Sequence, residues 1–224
     1  MGATERCVTV MLDGVGYAEK PSAHVPEITN RLKRSEPQTL TVLDFAQAIA
    51  NGRTWCGGCF ERDPSKKFGE SRFMGQQLFG LDFDNDTELL DEYGNKVKDE
   101  SGHIIKRSLM PDESGYLDPW EARIRWARLF HADPLIMYPS MSFSFDGSIR
   151  GRWNPETKMK YRLVLDVGQL ITDQAEARGV IKRLMAAFPE CDPKCSNPNR
   201  LYFGSGGTVL LTTEDTARYV KRST

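Results

Sequence analysis

Three stretches of this chain alternate so strictly that each reads as a β-strand lying between two different environments. In Leu135 to Phe145, Met137, Met141, Phe143 and Phe145 fall on one side, and Tyr138, Ser140, Ser142 and Ser144 on the other. In Lys160 to Asp166, Tyr161, Leu163 and Leu165 oppose Lys160, Arg162 and Asp166, with Val164 the exception on the polar side. In Gln77 to Asp86, Leu81 and Phe83 can enter a core while Asp82 and Asp84 project together on the opposite side. Side chains of a strand point alternately to its two faces, so this period sorts core from surface chemistry. An antiparallel sheet with helices behind it and an open polar face in front satisfies all three stretches. The expected class is α+β.

The remaining elements are read from punctuation. Cys7 to Leu12 is a candidate strand, followed by an irregular arm through Pro21, Pro26 and Pro37. Thr41 caps a helix carrying Val42, Phe45, Ala46 and Ile49, which Asn51-Gly52 ends. Residues 86–117 are polar and turn-rich, with hairpin-like turns at Tyr93-Gly94-Asn95-Lys96 and Glu100-Ser101-Gly102-His103, and read as an insertion. No internal repeat stands out. Asp118-Pro119-Trp120-Glu121 predicts a helix to about Phe130, since it supplies a cap, a first-turn proline and a capping-box glutamate. Thr172 is the expected cap of a helix whose Ala177, Val180, Ile181, Leu184, Met185 and Phe188 form one apolar stripe. Arg200 to Gly204 and Thr208 to Leu211 are the last strands. The chain then divides into an N-terminal module, residues 1–75, and a core, residues 76–224, within a single domain.

At 224 residues the chain can bury a substantial core. Its formal net charge of -1 gives no overall positive field, so any nucleic-acid contact must come from local clusters. No apolar run approaches the roughly 20 residues that span a bilayer, and the first 20 residues lack the order of a secretory signal, which points to a cytoplasmic chain without membrane contact. Cys7, Cys56, Cys59, Cys191 and Cys195 make an odd count that suits reduced thiols. The pairs Cys56/Cys59 and Cys191/Cys195 lack the compact spacing of a zinc site, so structural zinc is not expected.

Asp82 and Asp84 carry the sharpest chemistry. Two carboxylates on one side of a strand suit a hard divalent cation such as magnesium or manganese, which prefers oxygen ligands and keeps positions open for phosphate. The plainer alternative is a strand leaving the core through a polar turn that Asn85 and Asp86 continue. Acids on two strands, hydroxyls on a third and bases beside one acid are the parts needed to bind a metal and a triphosphate.

The order of these parts resembles the archaeo-eukaryotic primase superfamily, specifically the primase-polymerase domains of plasmids, phages and other mobile replicons. The likeness covers about residues 54–204. It is strongest in Gln77 to Asp86, Tyr138 to Ser144, Lys160 to Asp166 and Asn199-Arg200-Leu201-Tyr202-Phe203-Gly204. It implies an RRM-like antiparallel sheet beside an N-terminal α/β module, and metal-dependent, template-directed nucleotidyl transfer from dNTPs or NTPs in DNA replication. On this resemblance Asp82, Asp84 and Asp166 bind two magnesium or manganese ions, with Asp192 the competing third acid. Ser142, Ser144, Lys160, Arg162 and Arg200 hold nucleotide or template, and Arg72 lies near them with Lys66 and Lys67. DNA template and primer are the implied partners, together with a helicase supplied as another chain or segment. The family's second motif places a histidine where this chain has Ser142-Phe143-Ser144; His24, His103 and His131 lie elsewhere. That departure keeps a second reading open, a catalytically inactive nucleic-acid-binding or replication-initiation module of the same fold.

Overall fold

The computed structural model describes residues 6–140, 160–205, 207–213 and 216–223. Strand β1 (Cys7–Gly16) pairs antiparallel on one side with β2 (Gln38–Thr41) and on the other with β3 (Arg53–Cys56), making a three-stranded sheet. Between β1 and β2 the expected irregular arm contains helix α1 (Val25–Leu32), with Pro26 in its first turn and Ile28 and Leu32 buried. Proline is tolerated there because first-turn N–H groups have no helical partner, so Pro26 marks a start and not a break. Helix α2 (Val42–Ala50) begins at Thr41, whose hydroxyl accepts the Asp44 N–H at 3.0 Å, and ends before Gly52 at φ +80°.

A six-stranded antiparallel sheet forms the middle layer. In chain order its strands are β4 (Gly58–Phe60), β5 (Phe73–Phe83), β8 (Ile136–Pro139), β9 (Tyr161–Ile171), β10 (Thr208–Thr213) and β11 (Thr216–Lys221). In space they run β11-β10-β8-β9-β5-β4. Helix α3 (Pro119–Phe130) lies in sequence between β5 and β8, and α4 (Gln174–Ala187) between β9 and β10. The core is thus a βαββαβ unit with α+β character. Its fourth strand, β10, flanks the second, β8, whereas an RRM-like sheet places the fourth strand beside the first. β4 joins this sheet through β5, so the expected boundary at residue 75 falls inside a paired ladder.

One face of the sheet packs on the helices. Phe83 stacks on Tyr161 at 4.7 Å and meets Phe188 edge-on at 6.0 Å, while Ala177, Ile181 and Leu184 of α4 are buried. Asp118 and Asp173 cap α3 and α4 by accepting the Trp120 and Glu176 N–H groups; the second cap falls one residue after the expected Thr172.

The opposite face, expected to be open, is roofed. Trp55 of β3 stacks on Tyr202 at 4.6 Å and donates its indole N–H to the Tyr138 hydroxyl at 2.8 Å. The Tyr202 hydroxyl donates to the Gly80 carbonyl at 2.7 Å, and its ring sits so close that a Cβ on Gly80 would lie 2.6 Å from it. Gln77 bonds both Thr9 N and Cys7 O of β1. Alternation shows which residues share a face but not what covers it: a polar face closes under a second layer when that layer satisfies its hydrogen bonds.

The segment read as an insertion is pinned at its base. Asn85, in a left-handed conformation at φ 43°, exchanges two hydrogen bonds with Leu117 and closes its neck. Within it, β6 (Asp86–Glu88) pairs with β7 (Lys106–Ser108). Asp91-Glu92-Tyr93-Gly94-Asn95 and Asp99-Glu100-Ser101-Gly102-His103 are an eight-residue repeat, against the expectation of none. In each, the aspartate Oδ1 accepts two backbone N–H groups across the turn, and the glycine sits near φ +80°.

Candidate active site

The antiparallel register of β5 and β9 sets Asp82 opposite Arg162 and Phe83 opposite Tyr161. The Arg162 guanidinium lies 3.1 Å from Asp82 Oδ1, donates to Oδ2 at 3.3 Å and donates to the Phe203 carbonyl at 2.8 Å. Arg200, on the segment that roofs the sheet, donates one Nη2 to Asp82 Oδ2 at 2.9 Å and to Asp192 Oδ2 at 2.8 Å. The Asp192 backbone N–H in turn donates to the Asp82 carbonyl. Two residues on, Lys160 bridges Asp84 at 2.9 Å and Asp86 at 2.6 Å, and Lys106 of β7 adds a second cation to Asp86. Four carboxylates and four cationic groups therefore pair in two neighbouring sets where β5 leaves the sheet, Asp82 and Asp192 with Arg162 and Arg200, and Asp84 and Asp86 with Lys160 and Lys106.

Burial governs the charge states. Burial works against the Asp84 carboxylate, but the Lys160 hydrogen bond and the charges of Lys160, Lys106 and Arg162 together outweigh it and hold the acid below its ordinary range. Lys160 is likewise opposed by burial and lifted above its ordinary value by Asp86 and then Asp84. Burial also opposes the Arg162 and Arg200 charges; Asp82 beside Arg162, and Cys195 with Asp82 beside Arg200, more than compensate. Burial pushes the Tyr138 hydroxyl up to about 12, so it stays a neutral donor to the Phe203 carbonyl. The ion pairing is incomplete in direction. Asp82 Oδ1 and Arg162 Nε are in Coulombic contact, yet neither is aligned for a hydrogen bond, and both are buried from solvent.

Of the residues singled out in the sequence, Asp82, Asp84, Lys160, Arg162 and Arg200 come together. Asp166 does not. It stands opposite Leu78, four positions along β9 from Arg162, which is about 13 Å at strand rise. There its carboxylate takes Arg6 at 2.8 Å, Gln77 at 3.1 Å and its own turn at Gly168 N. The acid that joins Asp82 through Arg200 is Asp192, because the turn at Asp192–Cys195 folds back under β5, where Cys195 Sγ accepts the Asp82 N–H at 3.3 Å. Arg72 precedes β5 by one residue, at the end of the strand remote from Asp82, and pairs with Glu61 at 3.4 Å. Ser142 and Ser144 lie outside the described residues; Ser140 and Lys160, which flank them in sequence, are joined by a backbone hydrogen bond of 2.8 Å beside Asp84.

Asp86 and Lys106 were missed. Asp86 was visible as a third acid in Asp82-Phe83-Asp84-Asn85-Asp86 but reads equally well as turn polarity, and only the β6–β7 pairing brings Lys106 to it. Cys56 and Cys59 serve packing: Cys56 donates to the Pro198 carbonyl at 3.2 Å, and burial pushes the Cys59 thiol up to about 12. Among the described residues no three His, Cys, Asp or Glu side chains converge as a metal site, and no helix is long and apolar enough to cross a membrane. No known protein family, curated protein or solved structure matches the chain.

Proposed function

We propose that this chain is a nucleotidyl-transfer domain of the primase-polymerase kind, adding dNTPs or NTPs to a nucleic-acid strand under a template. The observation that carries the reading is the two neighbouring sets of paired acids and bases at the end of β5, with Asp82 Oδ1 buried and unaligned. A neutral set of paired acids and bases can re-pair with a ligand that itself brings both signs. A divalent cation draws on Asp82 and Asp84, and a triphosphate draws on Lys160, Arg162 and Arg200, so no charge is left buried alone in either state. Two protein carboxylates suffice for magnesium or manganese, since substrate phosphates and water commonly complete the shell. When bound, the cation would neutralise charge developing on the transferring phosphoryl group. The arginines are the suited phosphate holders, being planar, permanently charged and already oriented by Tyr138, Phe203 and Tyr202.

The test is elongation of a labelled primer by the purified chain with manganese and dNTPs or NTPs. Asp84→Asn and Lys160→Ala should each slow incorporation by about a hundredfold or more, the scale of several kcal/mol of lost charge stabilisation. Wild-type rates in both variants reject the site. The second reading, a silent nucleic-acid-binding module, draws on Ser142-Phe143-Ser144 in place of the histidine motif and on carboxylates already paired with bases. It predicts a template mobility shift with no elongation under any metal.

A further inference from the structure

Cys191 and Cys195 flank the turn that folds back under β5, and their thiols are in hydrogen-bonding contact with each other. The backbone holds them so. The Cys191 N–H donates to the Phe188 carbonyl at 3.1 Å and the Cys195 N–H to the Asp192 carbonyl at 2.9 Å, so the chain makes a helical turn between them. Side chains four residues apart across such a turn lie on one side. Cys195 has a further tie: its Sγ accepts the Asp82 N–H at 3.3 Å and lies against the Tyr202 hydroxyl, whose ring stacks on Trp55. Neither thiol has a part in nucleotidyl transfer.

The other cysteines are differently placed. Cys56 donates to the Gly58 and Pro198 carbonyls and Cys59 to the Gly57 carbonyl, so each faces backbone oxygen, and Cys7 is exposed on β1. Cys191 and Cys195 are only 5 % and 3 % exposed, but Pro193, Lys194 and Ser196 of the turn that covers them are open to solvent. Local opening of a short exposed turn admits a water-sized oxidant.

We propose that Cys191 and Cys195 form a reversible disulfide under a hydroperoxide, and that closing it unseats the Asp82 N–H. The Cys195 sulfur attacks a peroxide oxygen, the O–O bond breaks, and hydroxide leaves with the thiol proton as water, so that a sulfenic acid remains. The Cys191 sulfur then attacks that sulfenic sulfur, the S–O bond breaks, and hydroxide leaves with the second thiol proton as water. One hydrogen peroxide is reduced to two waters, and two thiols are oxidised to one disulfide. An S–S bond holds its sulfurs about 2 Å apart, closer than any hydrogen-bonded contact, so the pair must draw together and disturb the contact that seats Asp82. A link across three residues removes little chain entropy, so a thiol reductant reverses it. Neither half depends on the nucleotidyl-transfer reading.

The test treats the purified chain with hydrogen peroxide, blocks remaining thiols with N-ethylmaleimide and cuts with trypsin, which cleaves between Lys194 and Cys195. Peptides 184–194 and 195–200 should appear joined in one species that dithiothreitol separates. Oxidation should also move the Asp82 amide resonance and lower the melting temperature by about 2–4 °C, the scale of one buried hydrogen bond in a chain of this size, and dithiothreitol should restore both. Cys191→Ser should yield no joined peptides and leave a sulfenic acid on Cys195 that dimedone traps; Cys191→Ala gives the same result if serine unsettles the fold. Maleimide on both Cys191 and Cys195 after peroxide, or a link that runs to Cys7 or another cysteine, overturns the disulfide. An Asp82 resonance that stays in place while the joined peptides form overturns its effect on Asp82.

Discussion

Replacing the carboxylate of Asp82 and replacing that of Asp84 carry different costs, although the spacing of the two residues suggests equivalent parts. Asp82 is 5 % exposed and answers two guanidinium groups, and Arg162 is equally buried. Asp84 has a side chain 36 % exposed and answers one lysine that keeps Asp86 as a second partner. Removing one member of a buried pair leaves an uncompensated charge, costing about 3–5 kcal/mol, whereas a partly exposed pair is worth about 1 kcal/mol or less. Asp82→Asn should therefore lower urea-unfolding stability by about 3 kcal/mol or more, and Asp84→Asn by about 1 kcal/mol or less. Equal losses in the two variants would show that Arg162 and Arg200 find other partners. For this reason Asp84 is the cleaner probe of chemistry, because its loss can be read without a folding defect.

Among the elements, those announced by local chemistry were legible: α2 and α3 from their caps, the insertion from its Gly-centred turns, and β5 and β9 from their alternation. What alternation does not encode is register and cover. Asp166 belongs to the polar side of β9, as read, but four steps of ladder separate it from Arg162, and nothing local to either strand reveals that offset. Asp192 reads as turn polarity until the chain folds back and places it on Arg200. Lys160 shows what the register achieves, since it ties the root of the insertion, Asp86, to the ends of β5 and β9. Its raised folded-state value means that its contribution is fully present below its ordinary 10.5 and is lost as pH rises through that higher value. Asp84, held below its ordinary 3.8, contributes above that pH and loses its share as pH falls through the lower value. The stability difference between wild type and Lys160→Met should thus be flat from about pH 5 to pH 9 and shrink at both extremes. A difference that instead changes steadily across neutral pH would assign the effect to other groups.

On the scale of the whole molecule, the N-terminal third is part of the core. β4 completes the six-stranded sheet, and β1, β3 and α2 roof its polar face through Trp55, Phe45 and the bonds from Gln77 to β1. Without that roof, Leu78, Tyr138, Val164 and the Asp82–Arg162 pair, each nearly or fully buried, would face water on one side. A fragment beginning at residue 76 would lose an edge strand and one of its two covering layers, and with them the apolar burial that opposes chain entropy. It should show no cooperative thermal transition by near-ultraviolet circular dichroism. The full chain should melt once, with near- and far-ultraviolet signals coincident, because both layers share the middle sheet. A sigmoidal melt of the fragment would separate the two parts into independent domains. It would also leave the acid–base cluster as a surface feature of the larger one, open along the face that Trp55 now closes.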